Sequence, residues 1–464
     1  MAPDRGRPRS RLTPGHLSAL VGWVALIARL VVVAFAAGRF PPSADGIYYN
    51  TFADRLARGL GYTWAWPDGA VTYASHYPVG YPALLAPAYR LFGAHASVAM
   101  AVNAVLGAAL AVSMHLLLRR ATSPGWALFG ALVIALHPAL VPYTVAIMTE
   151  GATCALLAIA CALGAAAASP RGPLGRPGLR TLAFVLAGAV LGVSVLVRPQ
   201  CLVLAPVFGA LFVRTRASVG ARVFAALAMT ALTLAVCSPW TYRNCVRMKS
   251  CALVSVNGGW NLLIGEQTTT GAWEAVQVPV ECRTVWDEAG KDACFGAAAR
   301  RNIAQTPAAW FGKVPKKLAV TFDYFGGAPW YLHQANPSKF PYDAKVALGA
   351  VETVVSRLLL VLALAALARA PGAFPRTRLV LGAVLAVSAL SLHAWVAYVG
   401  LGLLGLLLGP RALTRGPTLV PVSLAVVLST AGLHAVFFGA GRYGLVTAPF
   451  VAALAFARPR RSAS

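Results

Sequence analysis

Apolar runs long enough to cross about 30 Å of hydrocarbon recur along the whole chain. They fall at 17–38, 96–118, 123–142, 145–168, 180–197, 200–213, 222–239, 346–368, 379–392, 394–409, 418–437 and 443–457. This pattern predicts an all-α polytopic membrane protein of about twelve transmembrane helices. The stretch 379–409 reads either as one long span or as two short ones. Two long segments interrupt the pattern: 39–95 between the first and second spans, and 241–345 between the seventh and eighth. Neither is set off by a low-complexity linker, so both are expected to pack on the helices and to carry function. The predicted organisation is a basic tail (1–16), a catalytic transmembrane half (17–240), a loop region (241–345), further transmembrane helices (346–457) and a short tail (458–464).

Composition agrees with a lipid environment. Of the 464 residues, 58% are hydrophobic and 12% charged, with mean hydropathy +0.68. A soluble domain carries about 25% charge. The net charge of +26 is unevenly placed. Arg5, Arg7, Arg9 and Arg11 precede the first span and predict a cytoplasmic N-terminus. Reading 379–409 as two spans puts Arg119/Arg120, Arg171/Arg176/Arg180, Arg214/Arg216/Arg222, Arg369/Arg376/Arg378, Arg411/Arg415 and Arg458/Arg460/Arg461 on that same side. Asp4 is the only acid among them; the other acids lie outside or near the outer ends of spans. Much of the charge is thus an orientation signal, and no nucleic-acid module is visible. The expected location is the cytoplasmic membrane, with both termini cytoplasmic and both long loops outside. The first span also carries a cleavage-like Ala34-Phe35-Ala36, but its apolar run exceeds a signal-peptide core, so it is read as a span.

Four cysteines, Cys245, Cys251, Cys282 and Cys294, lie in the second loop. In an oxidising compartment they suggest disulfides, paired as 245–251 and 282–294. Cys154, Cys161, Cys201 and Cys237 sit in apolar spans. No phosphate-binding GxxxxGK[ST], no HExxH and no Cys-His zinc spacing occurs.

The candidate chemistry lies where charge meets the outer span ends. Asp45 stands close after the first span, placed either to cap the following helix, in competition with Ser43, or to act as a general base. Tyr48 and Tyr49 follow Asp45 at the start of a helical pattern as candidate substrate contacts, and the aromatic run Tyr73, His76, Tyr77 and Tyr81 reads either as a sugar-stacking surface or lipid-facing mouth or as an interfacial belt. Glu150 is the only acid among residues 69–265 and sits inside a span, where an ionisable group needs a cavity or a partner. Arg198, Arg243 and Arg442 fall at outer span ends, and together they could hold a phosphate; each alone could be a membrane anchor. Arg29 lies mid-span and must find water, a carboxylate or a phosphate.

The ordered motifs ADGIYYNTFADRL, HYPVGYPALLAPAYRLFG, IMTEG, LVRPQ, SPWTYRN, VSVNGGWNLLIGEQTTTGAWE and GRYGLVTAPF resemble those of the C-type integral-membrane glycosyltransferases. The nearest branch is the bacterial one related to protein O-mannosyltransferases and the lipid A aminoarabinose transferase. The resemblance covers residues 20–340 and 440–457. It implies a polyprenyl-phosphate sugar donor, an inverting transfer at the outer face, and a glycan, lipid or protein acceptor. It implies Asp45 as the base and Glu150 as a substrate contact, with Arg198, Arg243, Arg442 and the neighbouring Tyr443 at the donor. Many relatives carry Asp-Glu in the first loop; here Gly46 follows Asp45, which removes a second carboxylate and weakens the case for a divalent metal. The alternatives are a flippase or transporter of lipid-linked saccharide, and a surface-polysaccharide ligase or polymerase. The large outer loop and the lack of an inverted repeat argue against a transporter.

The two-span reading makes a topological prediction. An alkaline phosphatase fused after Arg415 should be inactive, whereas one fused after Leu392 should be active. The reverse result would establish a single span across 379–409.

Overall fold

The computed structural model describes residues 14–169, 176–213 and 217–458. The predicted cytoplasmic residues Asp4, Arg5, Arg7, Arg9, Arg11, Arg171, Arg214, Arg216, Arg460 and Arg461 lie outside them. The chain is a multi-pass, almost entirely helical membrane protein. From the N-terminus run α1 (Pro14–Ala36), α2 (Asp45–Ala57), the strands β1 (Thr63–Ala65) and β2 (Val71–Tyr73), α3 (Gly80–Phe92), α4 (Ala96–Ala121), α5 (Pro124–Ala135), α6 (Thr149–Ala168) and α7 (Pro177–Val197). Then come α8 (Leu204–Leu211), α9 (Val219–Arg247), α10 (Gly258–Gln267), α11 (Glu288–Gln305), α12 (Pro307–Gly312), α13 (Val314–Phe322) and α14 (Gly327–Ala335). The last third is α15 (Tyr342–Arg369), α16 (Pro375–Leu390), α17 (Ala394–Leu407), α18 (Pro410–Arg415), α19 (Leu419–Val436), α20 (Gly441–Gly444) and α21 (Ala448–Phe456).

Every apolar run read from the sequence is helical, but the helices fall into two classes. Among the described residues, seven (α1, α4, α6, α7, α9, α15 and α19) are long and apolar enough to cross a membrane. The others are shorter. The 12 residues of α5 rise about 18 Å, roughly half the hydrocarbon thickness. The run 379–409 is two helices, α16 and α17, separated by a break at Ser391–His393.

The early end of α5 has a local cause. Pro138 disfavours helical geometry at His137, and the helix stops at Ala135. Its last carbonyls then lie within the bundle without intrahelical partners. Arg29 of α1, 2% exposed, donates from Nη1 to Ala135 O at 2.9 Å and to Ala25 O at 3.0 Å. Its partners are thus helix carbonyls, not the water, carboxylate or phosphate expected from the sequence.

The same device recurs at the bundle end away from the long loops. Arg120 and Arg180 donate to Ala165 O and Ala167 O at the C-terminus of α6. Arg222 reaches Ala210 O in α8, and Arg378 reaches Leu367, Ala370 and Ala373. A cation at a helix C-terminus also opposes the helix dipole favourably. On the other end, Lys317 of α13, fully buried, donates to Val436 O at the end of α19 at 3.0 Å. Burial pushes its ammonium down to about 8.

The loop-bearing end differs from expectation in its boundaries. α9 continues to Arg247 and α15 begins at Tyr342, so 241–345 overlaps both helices. Within the first loop, β1 and β2 pair antiparallel, Thr63 opposite Tyr73, around an Asp68-Gly69 turn. This hairpin is absent from the sequence reading, although Asp-Gly between β-formers is a hairpin signal. In the second loop, disulfides join Cys245 to Cys251 and Cys282 to Cys294; Cys154, Cys161, Cys201 and Cys237 are free and buried.

Alkylation should reflect this arrangement. Denatured without reductant, the protein should take up alkyl groups on the four buried span cysteines alone, and on all eight after reduction. More than four adducts before reduction would exclude the two disulfides.

Candidate active site

Asp45 is the first residue of α2. The residue before it, Ala44, adopts φ 50° and ψ −133°, and no side chain caps the helix. Neither Asp45 nor Ser43 therefore takes the capping role considered from the sequence. A positive φ at a non-glycine residue is costly and persists only where surrounding contacts hold it. Here Tyr331 of α14 provides one such contact. Its buried Oη accepts from Ser43 N at 3.2 Å and from Ile147 N at 3.3 Å, tying the approach to α2 to the approach to α6. A Cβ on Gly46 would lie 2.9 Å from that same Oη and 3.0 Å from Ile147 O, so this fold has no room for a second carboxylate after Asp45.

Asp45 turns toward Arg442, whose Nη2 donates to Oδ2 at 2.8 Å. Arg442 stands on α20, in GAGRYG. Gly441 packs so closely that an added Cβ would fall 2.0 Å from Phe325 O, which explains glycine there. Arg442 Nε also lies 3.8 Å from Glu150 Oε1. Glu150, in the first turn of α6, is 2% exposed and accepts from Tyr143 Oη at 2.8 Å. Its second cation is Arg198, with Nη1 3.0 Å from Oε1. Arg198 follows the end of α7, where Pro199 prevents continuation. Gln200, with its amide oxygen facing the guanidinium, accepts from Arg198 Nε at 2.7 Å and Nη2 at 3.0 Å. Both guanidiniums lie over the Tyr443 ring, at 5.0 Å for Arg198 and 5.1 Å for Arg442, and His434 stacks on that ring at 4.5 Å.

The result is an alternating chain, Asp45–Arg442–Glu150–Arg198, with side-chain exposures of 33%, 18%, 2% and 9%. Asp45 faces solvent and Glu150 is sealed. Beside Arg198 a cavity is lined by Gln200, Tyr443 and His434 and by apolar residues of α6 and α19, including Leu157 and Leu433. Thr153, Ser429 and Thr430 line it too, so its wall is mixed, polar and apolar. Among the described residues, no group of three or more His, Cys, Asp or Glu could hold a metal ion.

The remaining candidates divide. Arg243 does not join this chain. Its donors go to Ala74 O at 2.7 Å, Tyr62 O at 2.8 Å and Asn244 Oδ1 at 3.1 Å, and it lies over Trp240 at 4.6 Å. It clamps the first-loop hairpin to α9. Tyr49 and Tyr81 are buried and pack edge-to-face at 5.7 Å. Tyr81 donates to Asn103 Oδ1 at 2.9 Å, and Asn103 holds Thr144 O and Ala146 O on the way to Glu150. Burial, reinforced by Asp45 and Glu150, pushes the Tyr49 phenol well above its ordinary value. Tyr48 is 40% exposed and stacks on Tyr77 at 4.9 Å, and His76 meets Trp260 edge-on at 5.5 Å. Burial pushes the His76 imidazole below its ordinary value against the pull of Glu288, Asp292 and Asp45. Tyr143, Gln200 and Tyr331 were not anticipated as site residues; only Gln200, inside LVRPQ, lay in a motif that pointed to the site.

No protein-family model and no curated protein matches the chain. Among solved structures it is similar to the Archaeoglobus fulgidus oligosaccharyltransferase complexed with zinc and sulfate (14% identity, TM-score 0.47, 95% of this chain and 48% of that one). The archaeal oligosaccharyltransferase AglB from Archaeoglobus fulgidus, with an inhibitory peptide and a dolichol-phosphate, is similar at 13% identity and TM-score 0.46, over 94% of this chain and 49% of that one. ArnT from Cupriavidus metallidurans bound to undecaprenyl phosphate is similar at 15% identity and TM-score 0.40, over 95% of this chain and 78% of that one. These neighbours are C-type glycosyltransferases, the class that the motifs resemble. The chain spans about half the length of the archaeal enzyme. At such identities and TM-scores the chemistry rests on this chain's own residues.

Removing Glu150 would leave two guanidiniums facing each other with no buried counter-charge. Glu150→Gln should therefore destabilise the fold by about 3–5 kcal/mol, read as a lower thermal midpoint in detergent. Adding Arg198→Gln should recover part of the loss, and an unchanged midpoint for Glu150→Gln would show that the pair is not coupled.

Proposed function

We propose that this protein is a membrane glycosyltransferase that moves a sugar from a polyprenyl-phosphate donor to an acceptor hydroxyl, with inversion. The reaction takes place at the loop-bearing end, on the extracytoplasmic face of the cytoplasmic membrane. The observation that supports this most is the linkage of a half-open carboxylate, Asp45, through Arg442 to the buried Glu150 and Arg198.

The four charges sum to zero, so an arriving phosphate meets guanidiniums that are already paired. Its two or more oxygens compete with Asp45 for Arg442, while Glu150 keeps Arg198 and Arg442 oriented. Displaced from Arg442, Asp45 has an oxygen free to accept a hydrogen bond from the acceptor. It accepts the proton of the acceptor hydroxyl as that oxygen attacks the anomeric carbon. The bond from this carbon to the phosphate oxygen breaks, and its electron pair stays on the phosphate. The two guanidiniums stabilise that charge, in a site where little water screens them. Attack opposite the leaving phosphate inverts the centre. Tyr48 and Tyr77 flank the side from which the acceptor approaches. Asp45, Glu150 and Gly46 give a divalent ion too few oxygens, so the arginines take over charge neutralisation.

Asp45→Asn, in membranes supplied with labelled polyprenyl-phosphate sugar, should lower transfer about 100-fold or more while the protein stays folded. Transfer at the wild-type rate would remove Asp45 as the base. Wild-type movement of the lipid-linked sugar across vesicles with no transfer product would favour a transporter.

A further inference from the structure

Glu288 is the first residue of α11, more than two hundred residues from the first-loop hairpin, yet its carboxylate is spent on that hairpin. Oε2 accepts from Ser75 N at 2.7 Å and His76 N at 3.0 Å, and Oε1 accepts from Trp64 Nε1. Three N–H donors on one carboxylate make a charge-assisted clamp. The Glu288 segment is itself held. The Cys282–Cys294 disulfide closes on both sides of it, and Asp287 caps α11 through Gly290 N at 2.7 Å. Arg243 grips the same hairpin from its carbonyl side, at Tyr62 O and Ala74 O. An anion thus takes the donors and a cation the acceptors of one short strand end.

What this clamp holds leads back to Asp45. Tyr77, next after His76, stacks on Tyr48 at 4.9 Å and meets Tyr49 edge-on at 5.4 Å. Trp64 meets Tyr48 edge-on at 5.7 Å. Tyr48 lies one helical turn after Asp45, on the same face of α2. Because α2 has no side-chain cap and a strained Ala44 before it, its first turn depends on tertiary contacts. We propose that Glu288 is a positioning residue: through Ser75, His76 and Trp64 it fixes the Tyr77–Tyr48 stack, and through that stack the first turn of α2 that carries Asp45. The kinetic consequence rests on the transferase reading; the mechanical one does not.

Glu288→Gln separates the two. It keeps the size but turns one acceptor oxygen into an NH2 group. With the amide oxygen facing Ser75 and His76, that NH2 opposes Trp64 Nε1, donor against donor. In the full-length protein in detergent, hydrogen exchange of the amides at 75–76 and 45–50 should accelerate about tenfold. With polyprenyl-phosphate sugar as donor, kcat should fall about tenfold while the donor KM stays within about twofold, the split expected when alignment and not binding is lost. Adding Trp64→Phe removes the opposing donor, so the double variant should exchange more slowly and turn over faster than Glu288→Gln alone. Unchanged exchange at 45–50 in Glu288→Gln, or a double variant no better than the single, would overturn the proposal. If the wild type transfers no sugar, the transferase reading fails and the exchange pattern alone decides on Glu288. If Glu288→Gln does not fold, Trp64→Phe, which removes one of the three donors, should still speed exchange at 75–76 about threefold; no change there would overturn the proposal.

Discussion

A polar group left without a partner inside hydrocarbon costs several kcal/mol, and this constraint organises the whole molecule. A helix that crosses fully satisfies its backbone except at its ends. A helix that stops short exposes carbonyls where no water reaches them. This protein supplies donors with side-chain cations, both where the short helices α5 and α8 end and at the ends of the span-length α6, α15 and α19. Arg29 serves α5 within the bundle, Arg222 serves α8, Arg378 serves α15, Arg120 and Arg180 serve α6, and Lys317 serves α19. Six basic residues thus close helix ends.

The site applies the same constraint to charge. Glu150 is sealed in the bundle, so it must be neutralised, and two arginines and a tyrosine do so. Arg442 then has one face left, which it offers to Asp45. The chain of charges passes from a dry interior to a wet rim, with the Tyr443 ring beneath both guanidiniums. Such a chain is stable at rest because it is neutral. Its outer link, at Asp45, is partly open to water and weaker than the sealed pair behind it.

Much of this was legible in the chain. Hydropathy located every membrane helix, because burial in lipid demands long apolar runs whatever their partners. The scarcity of acids made Asp45 and Glu150 conspicuous, and cysteine placement suggested two pairings that the structure contains. Other features could not be read. Arg198, Arg243 and Arg442 occupy equivalent positions in the sequence, at span ends, yet two meet Glu150 and the third clamps backbone carbonyls. Periodicity gives the face of a helix, not which of several cations will find a carboxylate and which a carbonyl. Tyr331, Gln200 and Glu288 are ordinary polar residues until distant segments converge on them.

Local composition therefore determined the solvent of this protein, the approximate places of its apolar helices, and the few positions where charge had to be explained. These follow from transfer free energies, which are properties of single segments. Tertiary structure alone decided which charges are partners, that Asp45 is aimed and not used as a cap, that Gly46 leaves no space for another carboxylate, and that the two long loops grip each other. Those depend on distances between residues up to about 400 positions apart, as for Asp45 and Arg442. At such separations no sequence pattern records a contact, and only packing sets it.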